Sequence, residues 1–469
     1  MPELHDLTAL EQGRAIAGRE ISAVELAEHY LARSGELADQ IGAFVRLTPE
    51  LALEQAAAAD VATRAGEVGS PLRGVVCPVK DLDSVAGIPT KFGTAAIELT
   101  MDFDANVVAA MRTAGLVFTG KTATPELGLP CYTEPDGAPP ARTPWDLTRS
   151  ASGSSGGAAA AVAAGLAPIA QGSDGGGSIR LPAAVCGLVG IKPSRGRISN
   201  GPMSDGVGDL AVYGPLARTV RDAAALLDVM AVPFVGDPFR AAPVAGTFLA
   251  AAERAPGRLR IGYYLDPVVG QTPPTPAVVA ALEATATLLA QLGHEVEAVP
   301  APPLQDAVPV FEVVWSALAD SVPLSEDMVA QLTPLTRHLR ARGQGQSAGD
   351  LAAAVSQMRG IARAALRATE RFDVLLSPTA AAEPFEVGAL RDDADPAGDF
   401  EAQKQWASYT AIYNVTGQPS VNVPINWTAE GLPVGVQVAG RRDDEATLIS
   451  LCAQLEEAQP WQTRRPSLW

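Results

Sequence analysis

Cysteine is scarce in this chain of 469 residues, which contains four: Cys77, Cys131, Cys186 and Cys452. They form no CxxC pair, and no histidine stands at metal-ligand spacing from them. This spacing argues against a structural zinc site and against a disulfide framework. We therefore predict free, mostly buried thiols and no metal site.

Basic residues are fewer than acidic residues in this chain. The chain has 35 Lys and Arg against 53 Asp and Glu, a net charge of −18, and its basic residues form no long block. Recognition of a phosphate backbone or of an anionic membrane surface needs a concentrated positive patch. The sequence therefore predicts no nucleic-acid partner and no membrane partner.

A targeting segment is not evident in the sequence as given. The first residues, from Met1 to Asp6, lack the charged and apolar regions of a signal peptide. The longest uncharged apolar run, at 156–171, is too rich in alanine and glycine to span a bilayer. We expect a cytoplasmic protein.

Hydrophobic periodicity indicates one domain over residues 1–469. A capping box from Ser22 to Glu25 opens a helix near the N-terminus, and short buried strands alternate with helices after Leu72. That alternation predicts an α/β sheet covered by helices on both faces. The predicted regions are N-terminal helices over about 1–66, an α/β core over about 67–231, a largely helical insertion over about 258–371, and C-terminal strands and a helix over about 372–469.

One segment imitates a nucleotide-binding motif. Residues Gly115 to Thr122 match the P-loop pattern, which needs a strand before the first glycine and a helix after the threonine. Here a predicted helix comes before Gly115, and Pro125 interrupts the segment after Thr122. We therefore expect Lys121 to end a strand and to bind no nucleotide.

A second segment imitates the nucleophile elbow of α/β-hydrolases. Residues Gly153 to Gly157 fit the GxSxG pattern, but the residues before them, 148–152, are polar, whereas the elbow comes after a hydrophobic strand. The histidines further along the chain, His294 and His338, fall in a predicted turn and in a helix flanked by arginines. This alternative is disfavoured but stays open.

The third candidate site joins a lysine to two loops of serine and glycine. The loops span Ser152–Gly157 and Gly172–Arg180, and Lys80 ends a predicted strand upstream. Flexible linkers have a similar composition, but these segments are bracketed by buried strand and helix patterns. The glycines before Ser178 leave backbone N–H groups unobstructed, which an oxyanion hole requires. The residues alone leave two interpretations open, linkers or a serine hydrolase of amides that uses a lysine.

These loops resemble the motifs of the amidase signature family. The resemblance implies a single α/β domain whose large mixed, twisted sheet is covered by helices on both faces. It spans essentially the whole chain and is carried by residues 153–157, 172–183, 190–197, 214–222, 414–419 and 431–437.

The resemblance also implies roles for individual residues. Ser178 corresponds to the nucleophile, Ser154 to the bridging serine that comes after a cis peptide, and Lys80 to the base. The backbone N–H groups expected to form the oxyanion hole are those of Gly175, Gly176, Gly177 and Ser178. The residues expected to support the site are Ser155, Ser173, Asp174 and Arg180. The chain departs from the family pattern at Ala123, Thr143 and Ala151–Ser152, and these departures bear on the shape of the pocket.

The substrate is less constrained by the sequence. Residues 127–135 and the C-terminal segment 461–466 resemble the subgroup that contains hydrolases of cyclic amide dimers. An apolar pocket favours a small neutral amide, anilide, cyclic amide oligomer or carbamate. The residues expected to line the pocket are Leu127, Gly128, Cys131, Tyr132, Phe311 and Trp315, the last two on a helix over 305–330. The alternative is a glutamine-dependent amidotransferase A-type subunit that acts with partner subunits. No cofactor is expected, and a homodimer is left open.

Overall fold

The computed structural model describes residues 3–203, 206–303 and 307–469, and it contains thirteen strands within them. The strands are β1 (Phe44–Leu47), β2 (Val79–Lys80), β3 (Pro89–Thr90), β4 (Leu99–Thr100), β5 (Gly120–Thr122), β6 (Ile169–Asp174), β7 (Val189–Lys192), β8 (Val212–Ala217), β9 (Arg260–Tyr263), β10 (Glu295–Ala298), β11 (Val374–Pro378), β12 (Ser420–Trp427) and β13 (Pro433–Gly440).

Sixteen α-helices lie in the same described ranges. The helices are α1 (Ala9–Ala17), α2 (Ala23–Ile41), α3 (Pro49–Arg64), α4 (Asn106–Thr113), α5 (Gly156–Ala163), α6 (Arg180–Cys186), α7 (Val220–Met230), α8 (Phe248–Ala251), α9 (Pro276–Gln291), α10 (Ala307–Asp320), α11 (Glu326–Ala330), α12 (Pro334–Gln344), α13 (Ala348–Ala368), α14 (Pro396–Trp406), α15 (Ile412–Thr416) and α16 (Glu445–Ala458). Among these residues, no helix combines the length and the apolar character needed to cross a membrane.

An eight-stranded mixed sheet organises the chain in the order β10-β9-β11-β13-β12-β7-β8-β6. The strands β10, β9 and β11 are parallel, and the remaining neighbours are antiparallel. Helices cover both faces, as the environment of β13 illustrates. A Cβ added at Gly435 would touch Ala184 of α6, whereas one added at Gly440 would touch Leu448 of α16. Residues five apart in a strand point to opposite faces of the sheet, so α6 and α16 lie on opposite faces. The predicted α/β sheet with helices on both faces is therefore confirmed.

A second, three-stranded sheet of β1, β5 and β2 carries Lys80 at the end of β2. Its strand β1 is missing from the sequence prediction, which placed helices throughout 1–66. The strand has only four residues and pairs antiparallel with β5 some seventy residues later, so local periodicity does not reveal it. Lys121 lies within β5, in agreement with its predicted place in a strand rather than in a P-loop.

Two further sequence predictions can be compared with the fold. All four cysteines are free, and three of them are buried. The helix predicted over 305–330 is divided into α10 and α11, and residues 305 and 306 lie outside the described part. The division has a local cause, because Pro323 cannot continue a helix and the Ser325 hydroxyl accepts from the Met328 N–H to open α11.

The crossing of α5 over the small sheet gives a first prediction. A Cβ at Gly157 would lie 2.5 Å from the carbonyl oxygen of Ala43 and 2.7 Å from that of Ala123. We expect Gly157→Ala to lower the free energy of unfolding by about 1–3 kcal/mol, because backbone atoms must move. Urea unfolding measures this change.

The matched control is Gly360→Ala in the middle of α13. There the nearest atom to an added Cβ, Arg363 Nη2, is 4.0 Å away. This substitution should raise the stability by about 1 kcal/mol, since alanine favours helix more than glycine does. Equal effects of the two substitutions would contradict the close crossing at Gly157.

Candidate active site

Three hydroxyl groups surround the amine of Lys80, whose side chain is fully buried. Lys80 Nζ lies 2.8 Å from Ser154 Oγ, 3.0 Å from Ser155 Oγ and 3.0 Å from Ser173 Oγ. The lysine is presented by β2, the first two serines by the loop before α5, and Ser173 by β6. The structure thus brings together four residues from three separate segments of the sequence.

Burial changes the acid–base behaviour of this lysine. Loss of hydration disfavours the ammonium form and lowers the pKa of Lys80 to about 7, although the carboxylates of Asp83 and Asp174 oppose the shift. At neutral pH a large fraction of the amine is therefore uncharged. An uncharged amine has a lone pair and can accept a proton, which an ammonium group cannot do.

The loop that carries Ser154 is packed tightly against the segment 131–132. The peptide bond between Gly153 and Ser154 is cis, as the resemblance implied. A Cβ at Gly153 would lie 2.8 Å from backbone atoms of Tyr132, so only glycine fits there. Ser152 donates its hydroxyl to the Cys131 carbonyl oxygen at 2.9 Å. These contacts fix the position of the Ser154 hydroxyl relative to Lys80.

Ser178 lies at the end of the second loop and lines a cavity together with Gly176 and Gly177. The two loops are joined by a hydrogen bond from the Ser155 N–H to the Ser178 carbonyl oxygen at 3.1 Å. Within the described residues, the N–H groups of 175–178 donate to no other protein group. They are therefore available to a ligand oxygen.

The glycine loop is held in place from outside the loop. Gly177 has a φ of +143°, and a Cβ there would collide with Thr410, so the position requires glycine. The Thr410 hydroxyl donates to the Gly176 carbonyl oxygen at 2.5 Å. This hydrogen bond fixes the orientation of the peptide group that joins Gly176 to Gly177, and therefore the direction of its N–H.

Asp174 and Arg180 form a fully buried ion pair at the base of the same loop. Arg180 Nη2 lies 2.9 Å from Asp174 Oδ1, and Nε lies 3.0 Å from Oδ2, so the contact is bidentate. Asp174 Oδ2 also accepts the Ile179 N–H at 3.1 Å, which closes the loop on itself. Burial alone would raise the pKa of Asp174, but the Arg180 guanidinium holds it well below its usual range.

Several residues that support this frame were missed by the sequence analysis. Arg180 donates to the Thr410 carbonyl oxygen and to Gln437 Oε1, and its Nη2 donates to Asn414 Oδ1 at 2.8 Å. Gln171 and Gln437 stand alone as amides within apolar strand sequences. A polar residue in an otherwise apolar buried strand needs a partner, and that is the signal by which they could have been found.

The cavity beside Ser178 is lined mainly by apolar side chains of α10, α14 and α15. Phe311 and Trp315 stack with ring centroids 5.2 Å apart and lie against the glycine loop, where a Cβ at Gly175 would be 3.2 Å from Trp315. Two charged residues contribute to the described lining, Glu312 and Lys404, and they pair with each other at 2.5 Å.

The six predicted pocket residues divide into two groups. The described cavity lining includes Cys131, Phe311 and Trp315. The other three lie elsewhere: Leu127 packs into a hydrophobic cluster, Gly128 faces Ser154 Oγ, and Tyr132 donates its hydroxyl to Asp399 at 2.7 Å. The lining contains Leu129 and Pro130 in place of the predicted Leu127 and Gly128. The backbone at Leu127 has a φ of +51°, in the left-handed region, and the direction of the chain changes there. No pattern in the sequence predicts this change of direction.

One group of side chains outside this site has the composition of a metal site. The ligand atoms of Glu3, His5 and His29 lie within 4.8 Å of one another. However, His5 Nδ1 and His29 Nε2 are already hydrogen-bonded at 3.0 Å, and the nearby Arg33 cation opposes further positive charge. The two imidazoles satisfy each other and do not require a metal.

Comparisons with known proteins agree with the class of site described above. The amidase family profile matches residues 25–449. Over 495 aligned residues the chain is 36% identical to the 6-aminohexanoate-cyclic-dimer hydrolase of Paenarthrobacter ureafaciens, with 98% of this chain and 96% of that protein covered.

Solved structures give the same result. A 6-aminohexanoate cyclic dimer hydrolase complexed with substrate matches with a TM-score of 0.91 and 33% identity, covering 99% of this chain and 100% of that one. A bacterial aryl acylamidase matches with a TM-score of 0.87 and 26% identity, and 98% of each chain is covered. Fold and site thus define an amide hydrolase. The chain belongs to the amidase signature family.

The Asp174–Arg180 frame generates the second prediction. Lysine keeps the charge of Arg180 but cannot make the same set of hydrogen bonds. We expect Arg180→Lys to lower the free energy of unfolding by about 2–3 kcal/mol and to slow the reaction of the protein with a fluorophosphonate, because the glycine loop loses its support.

The control is Arg197→Lys, which disturbs another buried pair, between Arg197 Nη2 and Glu445 Oε2 at 2.9 Å. This variant should lose stability but keep its rate of reaction with the fluorophosphonate. A similar loss of rate in both variants would mean that general destabilisation, and not the frame of the loop, is responsible.

Proposed function

We propose that the protein hydrolyses the C–N bond of small neutral amides through an acyl-enzyme on Ser178, with Lys80 as base and Ser154 as proton relay. The observation that carries this proposal is the environment of Lys80. Its amine is buried, has a pKa of about 7, and lies 2.8 Å from Ser154 Oγ. The loop with Ser178 is hydrogen-bonded to the same serine-containing segment and opens onto the cavity.

The first half of the reaction forms the acyl-enzyme. Neutral Lys80 accepts the proton of Ser154, which accepts the proton of Ser178 as the Ser178 oxygen bonds to the amide carbon. The carbonyl oxygen gains negative charge and takes hydrogen bonds from the free N–H groups of 175–178. Losing one such donor typically costs about 10²–10³ in rate. The C–N bond then breaks, and the proton returns through Ser154 to the leaving amine.

The second half of the reaction consumes a water molecule. The lysine, again neutral, accepts a proton from this water through Ser154 while the water oxygen attacks the ester carbon. The bond to Ser178 breaks, its oxygen regains a proton, and the carboxylic acid leaves. Ser155 and Ser173 keep their contacts with Lys80 Nζ throughout, which holds the amine in place as its charge changes.

The lining of the cavity supports a neutral substrate. Most of the wall is apolar, and its two charged residues, Glu312 and Lys404, are paired with each other and with Arg342 and Glu401. A charged group placed in such a cavity would lose its hydration without gaining a partner. The substrates that fit this description are aliphatic or aryl amides, anilides, cyclic amide oligomers and carbamates.

The alternative function, the assembly and the location remain predictions. An amidotransferase A-type subunit would share these loops but would act with partner subunits, and glutaminase activity that arises only on addition of such a partner would favour that alternative. A homodimer and a cytoplasmic location are likewise open to experiment.

The third prediction concerns the nucleophile. A fluorophosphonate should label Ser178 in the wild type, and peptide mapping should locate the adduct there. Ser178→Ala should abolish labelling, and Lys80→Ala and Ser154→Ala should slow it by at least about 10², since proton transfer contributes about 10²–10⁴ to such reactions.

The control for this series is Ser34→Ala, which removes another buried hydroxyl, one for which the described residues provide no hydrogen-bond partner. Its labelling rate should equal that of the wild type. Full labelling of Ser178→Ala at another serine would refute the assignment.

The fourth prediction tests the neutral pocket. Hexanamide and 6-aminohexanamide have the same chain length, but the second carries an ammonium group. We expect kcat/KM for hexanamide to be higher by at least about tenfold, because the ammonium group loses its hydration. Ammonia release measures both reactions, and equal values would show that the charged end does not enter the apolar cavity.

A further inference from the structure

A carboxylate three residues after Lys80 makes contacts that the proposed reaction does not use. We propose that Asp83 is a positioning residue for Lys80: it anchors the backbone of the lysine through Gln171, and its charge raises the pH at which the site becomes active. This inference rests on the proposed role of Lys80 as the base.

The geometric link between Asp83 and Lys80 is a chain of two hydrogen bonds. Gln171 Oε1 accepts the Lys80 N–H at 2.8 Å, and Gln171 Nε2 donates to Asp83 Oδ2 at 2.8 Å. Gln171 is fully buried, and Asp83 is 4% exposed. The Asp83 N–H also donates to the Lys80 carbonyl oxygen at 3.1 Å, which closes a tight turn between the two residues. A displacement of Asp83 would therefore displace Lys80.

The second oxygen of Asp83 is also engaged. Tyr213 donates its hydroxyl to Asp83 Oδ1 at 2.5 Å. The carboxylate thus accepts from two neutral donors, and Lys121 Nζ donates to the Asp83 carbonyl oxygen at 2.7 Å. Burial raises the pKa of Asp83, while the hydrogen bonds from Tyr213 and Gln171 oppose that shift. We infer that Asp83 is ionised, because both of its oxygens accept hydrogen bonds and the charges of Lys121 and Lys80 also oppose the effect of burial.

The charges that face Lys80 come from two elements besides its own. Asp83, in the turn after β2, and Asp174, at the end of β6, both favour the ammonium form of Lys80. Asp174 is already paired with Arg180 at 2.9 Å, whereas the side chain of Asp83 is held by neutral donors, and the cations that act on it are Lys121 and Lys80. Lys121 is itself paired with Asp81 at 3.1 Å. Of the two carboxylates, Asp83 is the less neutralised.

The consequence for the pH profile has a definite sign. Removing the negative charge of Asp83 takes away a favourable interaction of the Lys80 ammonium form, so the pKa of Lys80 falls further. The amine then becomes neutral at a lower pH. The acid limb of the rate profile should move to lower pH, whereas the loss of a merely structural contact would lower the rate at every pH alike.

The test uses a reaction that requires no known substrate. The second-order rate of labelling of Ser178 by a fluorophosphonate is measured from pH 5 to pH 9 in the wild type and in Asp83→Asn. We expect the acid limb to move to lower pH by up to about one unit, because the ammonium form of Lys80 loses a favourable interaction with a negative charge. Tyr213→Phe keeps the carboxylate but removes one donor, so it should move the limb in the same direction by less.

The control is Asp104→Asn in the same segment of the chain. Asp104 pairs with Arg112 at 2.6 Å and accepts the Ala86 N–H, and it does not act on Lys80. Its acid limb should coincide with that of the wild type.

The outcomes distinguish a failure of the role of Asp83 from a failure of the role of Lys80. A limb that stays in place in both Asp83→Asn and Tyr213→Phe would overturn the role of Asp83 and leave the role of Lys80 intact. If Asp83→Asn does not fold, an acid limb of the Tyr213→Phe rate profile that coincides with that of the wild type would by itself overturn the role of Asp83. A wild type without any acid limb would overturn the proposed role of Lys80 and this inference together.

Discussion

The site depends on the burial of one amine. Lys80 has no contact with solvent, and the three hydroxyls around Nζ are neutral groups that do not compensate an ammonium charge as a carboxylate in contact would. Desolvation therefore brings the pKa of this lysine to about 7. The alanine-rich helix α5, which is buried along its whole length, and the close crossing at Gly157 exclude water from this region.

Strong charges are nevertheless present nearby, and two of the carboxylates are held in ion pairs. Asp174 is held by Arg180, and Asp81 is held by Lys121, each within a buried ion pair. Pairing limits the field of these carboxylates at the amine, while their hydrogen bonds fix the surrounding loops. The same arrangement gives the glycine loop its shape, because Arg180 links that loop to α15 and β13. The pairing of Asp174 with Arg180 thus supports the shape of the loop and limits the charge that faces the amine, whose neutrality is due mainly to burial.

Sequence reasoning identified the parts of the site that are encoded locally. Serine and glycine runs and the strand-ending Lys80 are visible as patterns, and the structure brings them within hydrogen-bond distance around Nζ. Features that depend on long-range pairing were not visible. Strand β1 exists because β5 pairs with it, and Gln171 matters because its two ends meet Lys80 and Asp83. Three of the six residues predicted for the pocket line the cavity, and the left-handed backbone at Leu127 lies in the segment where the prediction and the lining differ.

The most direct test of this account is the titration of Lys80 itself. The chain has five lysines, so ¹³Cε-lysine labelling gives few signals, and comparison with Lys80→Arg assigns the relevant one. An NMR pH titration of the Ser178→Ala protein, which keeps the lysine and its surrounding hydroxyls, then reports the pKa of Lys80 without turnover. The account predicts a midpoint near pH 7. A midpoint near the ordinary lysine value of about 10.4 would contradict it, because the amine would then be charged at neutral pH and unable to act as a base.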